Sequence, residues 1–201
     1  MQALIKSWIG RAADSDRPVF LPLILGTNRQ GRLSDSVANF ALGVLQRRAD
    51  ATTELIDAAA FDFPRDDYGP STKGNFSDYA NVVNRADGLI IVAPEYNHGY
   101  SGRLKTLLDI LDPEYVHKAV GVISVSSGPW GGVRMVENLL PVLRTLGLTP
   151  SRFDLQFPNA SDAFLASGEP SDPKYVSRTA KFIDEVVWLA KALRWGRGNL
   201  Q

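Results

Sequence analysis

Three stretches of this chain bring glycine together with hydroxyl, amide, aromatic and cationic residues at spacings suited to holding a small ligand. The first is Gly26-Thr27-Asn28-Arg29-Gln30-Gly31-Arg32-Leu33-Ser34. Hydroxyls, backbone N–H groups, the positive end of a following helix and two guanidinium forks can together neutralise and orient a phosphate. Gly26 and Gly31 have the spacing of a nucleoside-triphosphate loop, but Arg32 and Leu33 stand where that motif needs Lys and Ser or Thr. The three-glycine dinucleotide fingerprint is missing as well. A monophosphate suits the loop better, and a capped, solvated turn is the plainer reading.

The second stretch is Pro94-Glu95-Tyr96-Asn97-His98-Gly99-Tyr100-Ser101-Gly102. Glycine lets backbone N–H groups approach a flat heteroaromatic ring, Asn97 can donate or accept, and Tyr96 or Tyr100 can cover a ring face. A long turn with tyrosines packed on the surface is the alternative. The third, Ser124-Val125-Ser126-Ser127-Gly128-Pro129-Trp130-Gly131-Gly132, offers hydroxyls and exposed amides, or else a flexible connection. One such loop is ordinary, whereas three at the same end of one sheet make a pocket the economical explanation.

Other chemistries find little support. Cysteine is absent, which excludes disulfides, thiolate metal sites and a cysteine nucleophile, and suits a reducing compartment. His98 and His117 are the only histidines and sit in no ligand-spaced cluster, so no metal site is expected; no Gly-x-Ser-x-Gly elbow exists either. Redox chemistry would have to be borrowed from a cofactor. Lys+Arg and Asp+Glu both number 22, giving zero net charge and no global attraction to nucleic acid or anionic membrane. No apolar run reaches the roughly 18 residues of a membrane span.

The loops need elements to position them, and the pattern supplies an alternation of strands and helices. Apolar runs at residues 19–25, 88–93 and 119–125 read as buried strands, with Pro22 a weak point in the first and Pro94 the end of the second. Weaker strands are expected at 52–57 and near 152–155. Between them, Val37, Phe40, Ala41, Val44 and Leu45 fall on one helical face, with Ser34 and Asp35 as candidate N-caps. Tyr79, Val82, Val83 and Ala86 mark a second helix, Leu104, Leu107, Leu108 and Leu111 a third, and Val136, Leu139, Leu140 and Leu143 a fourth; a terminal helix spans about 174–193. Residues 61–74 read as a long surface loop. Alternation of this kind gives an α/β fold with a doubly wound parallel sheet of five strands, helices covering both faces. One domain over 18–195 is expected, between an N-terminal extension of 1–17 and a tail of 196–201. Ligands in such a sheet sit beyond the carboxyl ends of strands at a switch in strand order, which singles out the loops after Leu25, Ala93 and Val125.

From Val19 to Leu155 these motifs resemble the NADPH-dependent FMN reductase family, a flavodoxin-like group that includes quinone, azo-dye and chromate reductases. The family's first loop starts Gly-Ser/Thr-x-Arg, matched by Gly26-Thr27-Asn28-Arg29, with a later Ser matched by Ser34. Its second loop begins Pro-Glu-Tyr-Asn, intact here at 94–97, ahead of a Leu-Lys-x-x-Leu/Ile-Asp helix matched by Leu104-Lys105-Thr106-Leu107-Leu108-Asp109. The third loop's Ser-x-Gly-x-x-Gly-Gly style is represented by Ser126-Ser127-Gly128 and Gly131-Gly132. One departure is Ser101-Gly102, where Pro-Gly is usual.

The resemblance implies strand order 2-1-3-4-5. It implies FMN gripped at its phosphate by Thr27, Arg29, Arg32 and Ser34, with Pro94, Glu95, Tyr96 and Asn97 along the ring and Ser126, Ser127, Gly128 and Gly131 near its edge. His98, Tyr100 and Trp130 would face the substrate, and no side chain is needed as a catalytic group because the flavin carries the chemistry. NADPH or NADH would donate electrons to a small acceptor such as a quinone, an azo compound, free flavin or a metal oxyanion. A cytoplasmic homodimer or homotetramer is implied, with Trp188 and Trp195 either at an interface or packed on the chain's own sheet. The competing reading is a flavodoxin-like electron carrier or flavin-binding module without substantial NAD(P)H-dependent turnover; such carriers are typically acidic, and this neutral chain is not.

Overall fold

Every residue of Gly88–Pro94 and of Lys118–Val125 is buried, and these two strands form the centre of the fold. Their pairing is parallel, from Gly88↔Ala119 to Pro94↔Val125. Strands covered on both faces need apolar residues at consecutive positions, which is why these runs carry no polar alternation. The computed structural model describes residues 17–63 and 74–200. The expected N-terminal extension lies outside the described residues apart from Arg17, as does much of the loop expected at 61–74.

In chain order the strands are β1 (Val19–Phe20), β2 (Leu23–Leu25), β3 (Ala51–Thr52), β4 (Leu55–Asp57), β5 (Gly88–Pro94), β6 (Lys118–Val125), β7 (Leu148–Pro150) and β8 (Leu155–Phe157). The helices are α1 (Ser34–Gln46), α2 (Ser77–Arg85), α3 (Gly102–Leu108), α4 (Val133–Thr145) and α5 (Lys174–Asn199). The main sheet runs β4-β2-β5-β6-β7, with β8 also on β6 and every pair parallel. This is the order 2-1-3-4-5 in a flavodoxin-like α/β fold, although the expected five strands are divided into eight pieces.

The divisions have local causes. Pro22 lacks an N–H, so the ladder breaks between β1 and β2, yet Val19↔Ala51 and Leu23↔Leu55 keep the same offset and the ribbon continues in register. Leu21 N–H donates to Thr52 O at 2.9 Å and Leu23 N–H to Glu54 O at 2.8 Å across the break. The last strand, expected near 152–155, is instead β7 and β8, flanking a segment in which Ser151 N–H still bonds Val120 O at 2.8 Å. β5 ends at Pro94, one residue past the apolar run. α5 continues to Asn199, past the expected end near Leu193.

Two apolar layers flank the sheet. Ile24, Leu89 and Ile91 pack with Val83, Leu104, Leu107 and Leu139 from α2, α3 and α4, while Leu23, Ile90 and Val92 pack with Val37, Ala41, Phe182 and Val186 from α1 and α5. Alternate residues of one strand thus feed opposite layers. Gly121 lets α5 press onto β6, because a Cβ there would lie 2.6 Å from both Phe182 and Val186. Ser34 and Asp35, expected as N-caps of α1, are its first two residues; the cap position is Leu33 and provides no side-chain hydrogen bond.

Candidate active site

Loops 26–33, 95–101 and 126–132 leave the carboxyl ends of β2, β5 and β6, so the sheet order brings the three candidate loops to one edge. The first loop begins where Gly26 N–H donates to Val92 O at 2.8 Å. A Cβ on Gly26 would stand 3.1 Å from Leu104, so glycine is what allows α3 this close. Thr27 is buried, and its hydroxyl accepts from Arg29 N–H at 3.3 Å and lies 2.9 Å from the Tyr96 hydroxyl. Arg29 is exposed, its guanidinium 5.4 Å from the Tyr96 ring centroid. At the N-terminus of α1, the Ser34 hydroxyl is buried and makes no hydrogen bond.

Arg32 faces the protein. Its Nε donates to Asp35 at 2.7 Å, its terminal nitrogens meet Asp57 at 2.8 and 2.5 Å, and one of them also donates to Thr27 O. Hydrogen bonding to Asp57 raises the Arg32 pKa, outweighing burial. Burial pushes the Asp57 carboxyl up, but the Arg32 guanidinium and the Ala59 amide outweigh it and hold the acid below its ordinary value.

The second loop is tied down at both ends. Tyr96 N–H donates to Gly99 O at 2.8 Å and Gly99 N–H returns to Tyr96 O at 2.9 Å, closing a turn with Asn97 at φ 48° and His98 at φ 66°. Two successive left-handed residues make a type I′ turn, in which Asn is at ease and His is strained. Asn138 of α4 supports it by donating to His98 O at 2.7 Å. Glu95 turns its carboxylate to the N-terminus of α4, where Met135 N–H donates at 3.3 Å and Arg134 stands 3.8 Å away. A carboxylate there is favoured by the helix dipole. Ser101 caps α3, accepting from Leu104 N–H at 3.0 Å, and donates to Gly26 O at 2.5 Å. Its hydroxyl therefore fastens the second loop to the first, which the usual proline has no hydroxyl to do. Tyr100 is half-buried against the core, and His98 is exposed.

In the third loop Ser124 donates to Gly131 O at 2.5 Å and Ser126 to Gly128 O at 2.8 Å. Gly131 has φ 64°, and a Cβ on it would meet Gln156 at 2.7 Å. Ser127 is exposed, and Trp130 is 64% exposed, with the Arg134 guanidinium 5.4 Å from its ring. Trp188 and Trp195 are not packed on the sheet; they are 66% and 57% exposed on α5. The expected residues of loops one and two thus meet through Thr27 and Tyr96, and those of loops two and three through Glu95 and α4. Sequence reading missed the tying roles of Asp57, Ser101 and Asn138, since each acts on residues far along the chain.

Comparison with known proteins points to one family. Residues 21–161 match the family described as NADPH-dependent FMN reductase. The FMN-dependent NADPH-azoreductase of Staphylococcus haemolyticus is 27% identical over 181 residues, 82% of this chain and 92% of the relative. The FMN reductase (NADPH) of Pseudomonas putida is 32% identical over 140 residues, 65% of this chain and 69% of the relative. Among solved structures, the flavoenzyme NAD(P)H:(acceptor) oxidoreductase FerB of Paracoccus denitrificans shares the fold with a TM-score of 0.73 at 20% identity, covering 87% of this chain and 98% of that one. The chain belongs to the NADPH-dependent FMN reductase family, whose members are NAD(P)H-dependent oxidoreductases that use FMN.

Proposed function

We propose that this chain binds FMN across the three loops and passes electrons from NADPH or NADH to a small acceptor: a quinone, an azo compound, free flavin or a metal oxyanion. The observation that carries the reading is the Ser34 hydroxyl, buried and unpartnered at the N-terminus of a helix that has no side-chain cap. A phosphate monoester supplies what both lack, an acceptor for a hydroxyl and for free helical N–H groups. Thr27 and Arg29 of the same loop would join Ser34 on the phosphate, and Pro94, Glu95, Tyr96 and Asn97 would border the ring, with Ser126, Ser127, Gly128 and Gly131 at its edge. His98, Tyr100 and Trp130 would face the second substrate.

FMN, when bound, supplies the redox chemistry, taking two electrons from the nicotinamide and releasing them to the acceptor. The chain's own residues bind and orient. Ser101 and Tyr96 hold loop one against loop two, and Glu95 holds loop two against α4, which fixes the floor on which ring and nicotinamide must meet. We place the protein in the cytoplasm as a homodimer or homotetramer; the exposed Trp188 and Trp195, two helical turns apart on α5, support an assembly. Among the described residues no helix is long and apolar enough to cross a membrane. Titration of the flavin-free protein with FMN, FAD and riboflavin tests the reading. FMN should bind tightest, and FAD binding more tightly than FMN would contradict it.

A further inference from the structure

Loop one carries two arginines, and the geometry gives them different tasks. The Arg32 side chain is only 12% exposed and lies between two carboxylates, Asp35 and Asp57. Of the five N–H groups of a guanidinium, Nε is spent on Asp35, one on each Asp57 oxygen and one on Thr27 O. One cation facing two carboxylates leaves no net positive charge to attract a phosphate. Asp57 is itself well anchored: it ends β4 in register with Leu25, and its side chain also accepts from Ala59 N–H at 2.8 Å. Arg32 therefore fastens the loop to the sheet rather than reaching out from it.

The consequence for loop one runs through a single peptide group. A planar trans peptide points its C=O and N–H in opposite directions, and no cis peptide is present among the described residues. Drawing the Thr27 carbonyl onto Arg32 sends the Asn28 N–H away from the Arg32–Asp57 pair. That N–H makes no hydrogen bond among the described residues. We propose that Arg32 is a positioning residue: pinned by Asp57, it sets the Thr27–Asn28 peptide so that the Asn28 N–H faces the phosphate monoester of the flavin, without touching that phosphate itself. Arg29, exposed and over Tyr96, is then the loop's cation for the ligand. The proposal rests on the FMN reading given above.

FMN and riboflavin, which differ by the phosphate, are titrated into the flavin-free wild type, Arg32→Gln, Asp57→Asn and the double variant, with folding checked by thermal melting. Arg32→Gln and Asp57→Asn should each weaken FMN about tenfold or more, the scale of a charge-assisted contact. Riboflavin should change less than about threefold in the same variants, and the double variant should lose no more than the worse single one, because both act through one pair. Arg32→Lys keeps the charge but not the fork, so it should stay as weak as Arg32→Gln. FMN affinity kept or raised by Asp57→Asn, or rescued by Arg32→Lys, would make Arg32 a direct phosphate ligand and overturn the proposal. Equal loss of both flavins would reduce the pair to general scaffolding and overturn it too. A wild type that prefers riboflavin, or binds neither flavin, contradicts the FMN reading itself and removes the basis of the proposal. Arg32→Lys and Asp57→Glu serve as the milder variants should either primary substitution fail to fold.

Discussion

The hydroxyls of Thr27 and Tyr96 lie 2.9 Å apart, and this contact joins the loop after β2 to the loop after β5. It links the residue proposed for the phosphate to one proposed for the ring. Tyr96→Phe leaves the ring in place and removes only the bond. It should weaken FMN by about 0.5–1.5 kcal/mol, the usual net worth of one hydrogen bond. Fluorescence titration of the variant checks this; unchanged affinity would mean that the two loops are held without it.

Arg29→Ala should weaken FMN by about 1.5–3 kcal/mol, the range for a charge-assisted hydrogen bond, with exposure of the side chain favouring the lower end. Riboflavin affinity should hardly move. Calorimetric titration with both flavins reads the two effects, and an FMN affinity equal to wild type would remove Arg29 from the site.

His98 is the histidine nearest the proposed chemistry, yet its left-handed backbone and exposed side chain mark it as a turn residue. Hydride transfer from a nicotinamide requires proximity and electrostatic support more than a general acid. His98→Ala should therefore lose less than about tenfold in the rate of flavin reduction by NADPH, whereas general acid–base catalysis is worth about 10²–10⁴-fold. His98→Gly, free of the αL penalty, should be as active and up to about 1 kcal/mol more stable. Rapid mixing and denaturant melts separate the cases; a hundredfold slower reduction would make His98 catalytic.

Much of this was legible in the chain because it depends on neighbours in sequence. Continuous apolar runs at 88–93 and 119–125 mark strands buried on both faces, and the Pro-Glu-Tyr-Asn run fixes the loop that follows the first. What stayed hidden depends on partners far apart. Arg32 reads as one of two loop cations, and its pairing with Asp57, 25 residues on, has no signature in the sequence. Ser101 reads as a lost proline until its hydroxyl meets Gly26, 75 residues back. Glu95 reads as a ring-side residue of the second loop, and nothing near it in sequence shows that α4 presents its N-terminus to the carboxylate. The last strand was misplaced because Gly147-Leu148-Thr149-Pro150 offers no apolar run, and only the parallel partner β6 makes strands of β7 and β8.

Asp154, between β7 and β8, gives the fold a pH dependence. Burial, with the nearby Glu137 charge adding, pushes its carboxyl up to about 6. The folded protein thus holds a proton that the unfolded chain has released between about pH 4 and that value, and stability falls as pH rises through this window. Asp154→Asn should raise the melting temperature at about pH 7.5 and confer no gain near about pH 4, where the wild-type acid is already neutral. A gain that is the same at both pH values would show that charge at Asp154 is not the cause.

The most direct test of the central claim is the visible spectrum of the FMN-loaded protein mixed anaerobically with NADPH, then with NADH. The flavin band should bleach within seconds with at least one of them and return on addition of a quinone, at turnover rates typical of enzymes, about 1–10³ s⁻¹. FMN that stays bound and oxidised in the presence of both nucleotides would contradict the account and leave an electron carrier or flavin-binding module in its place.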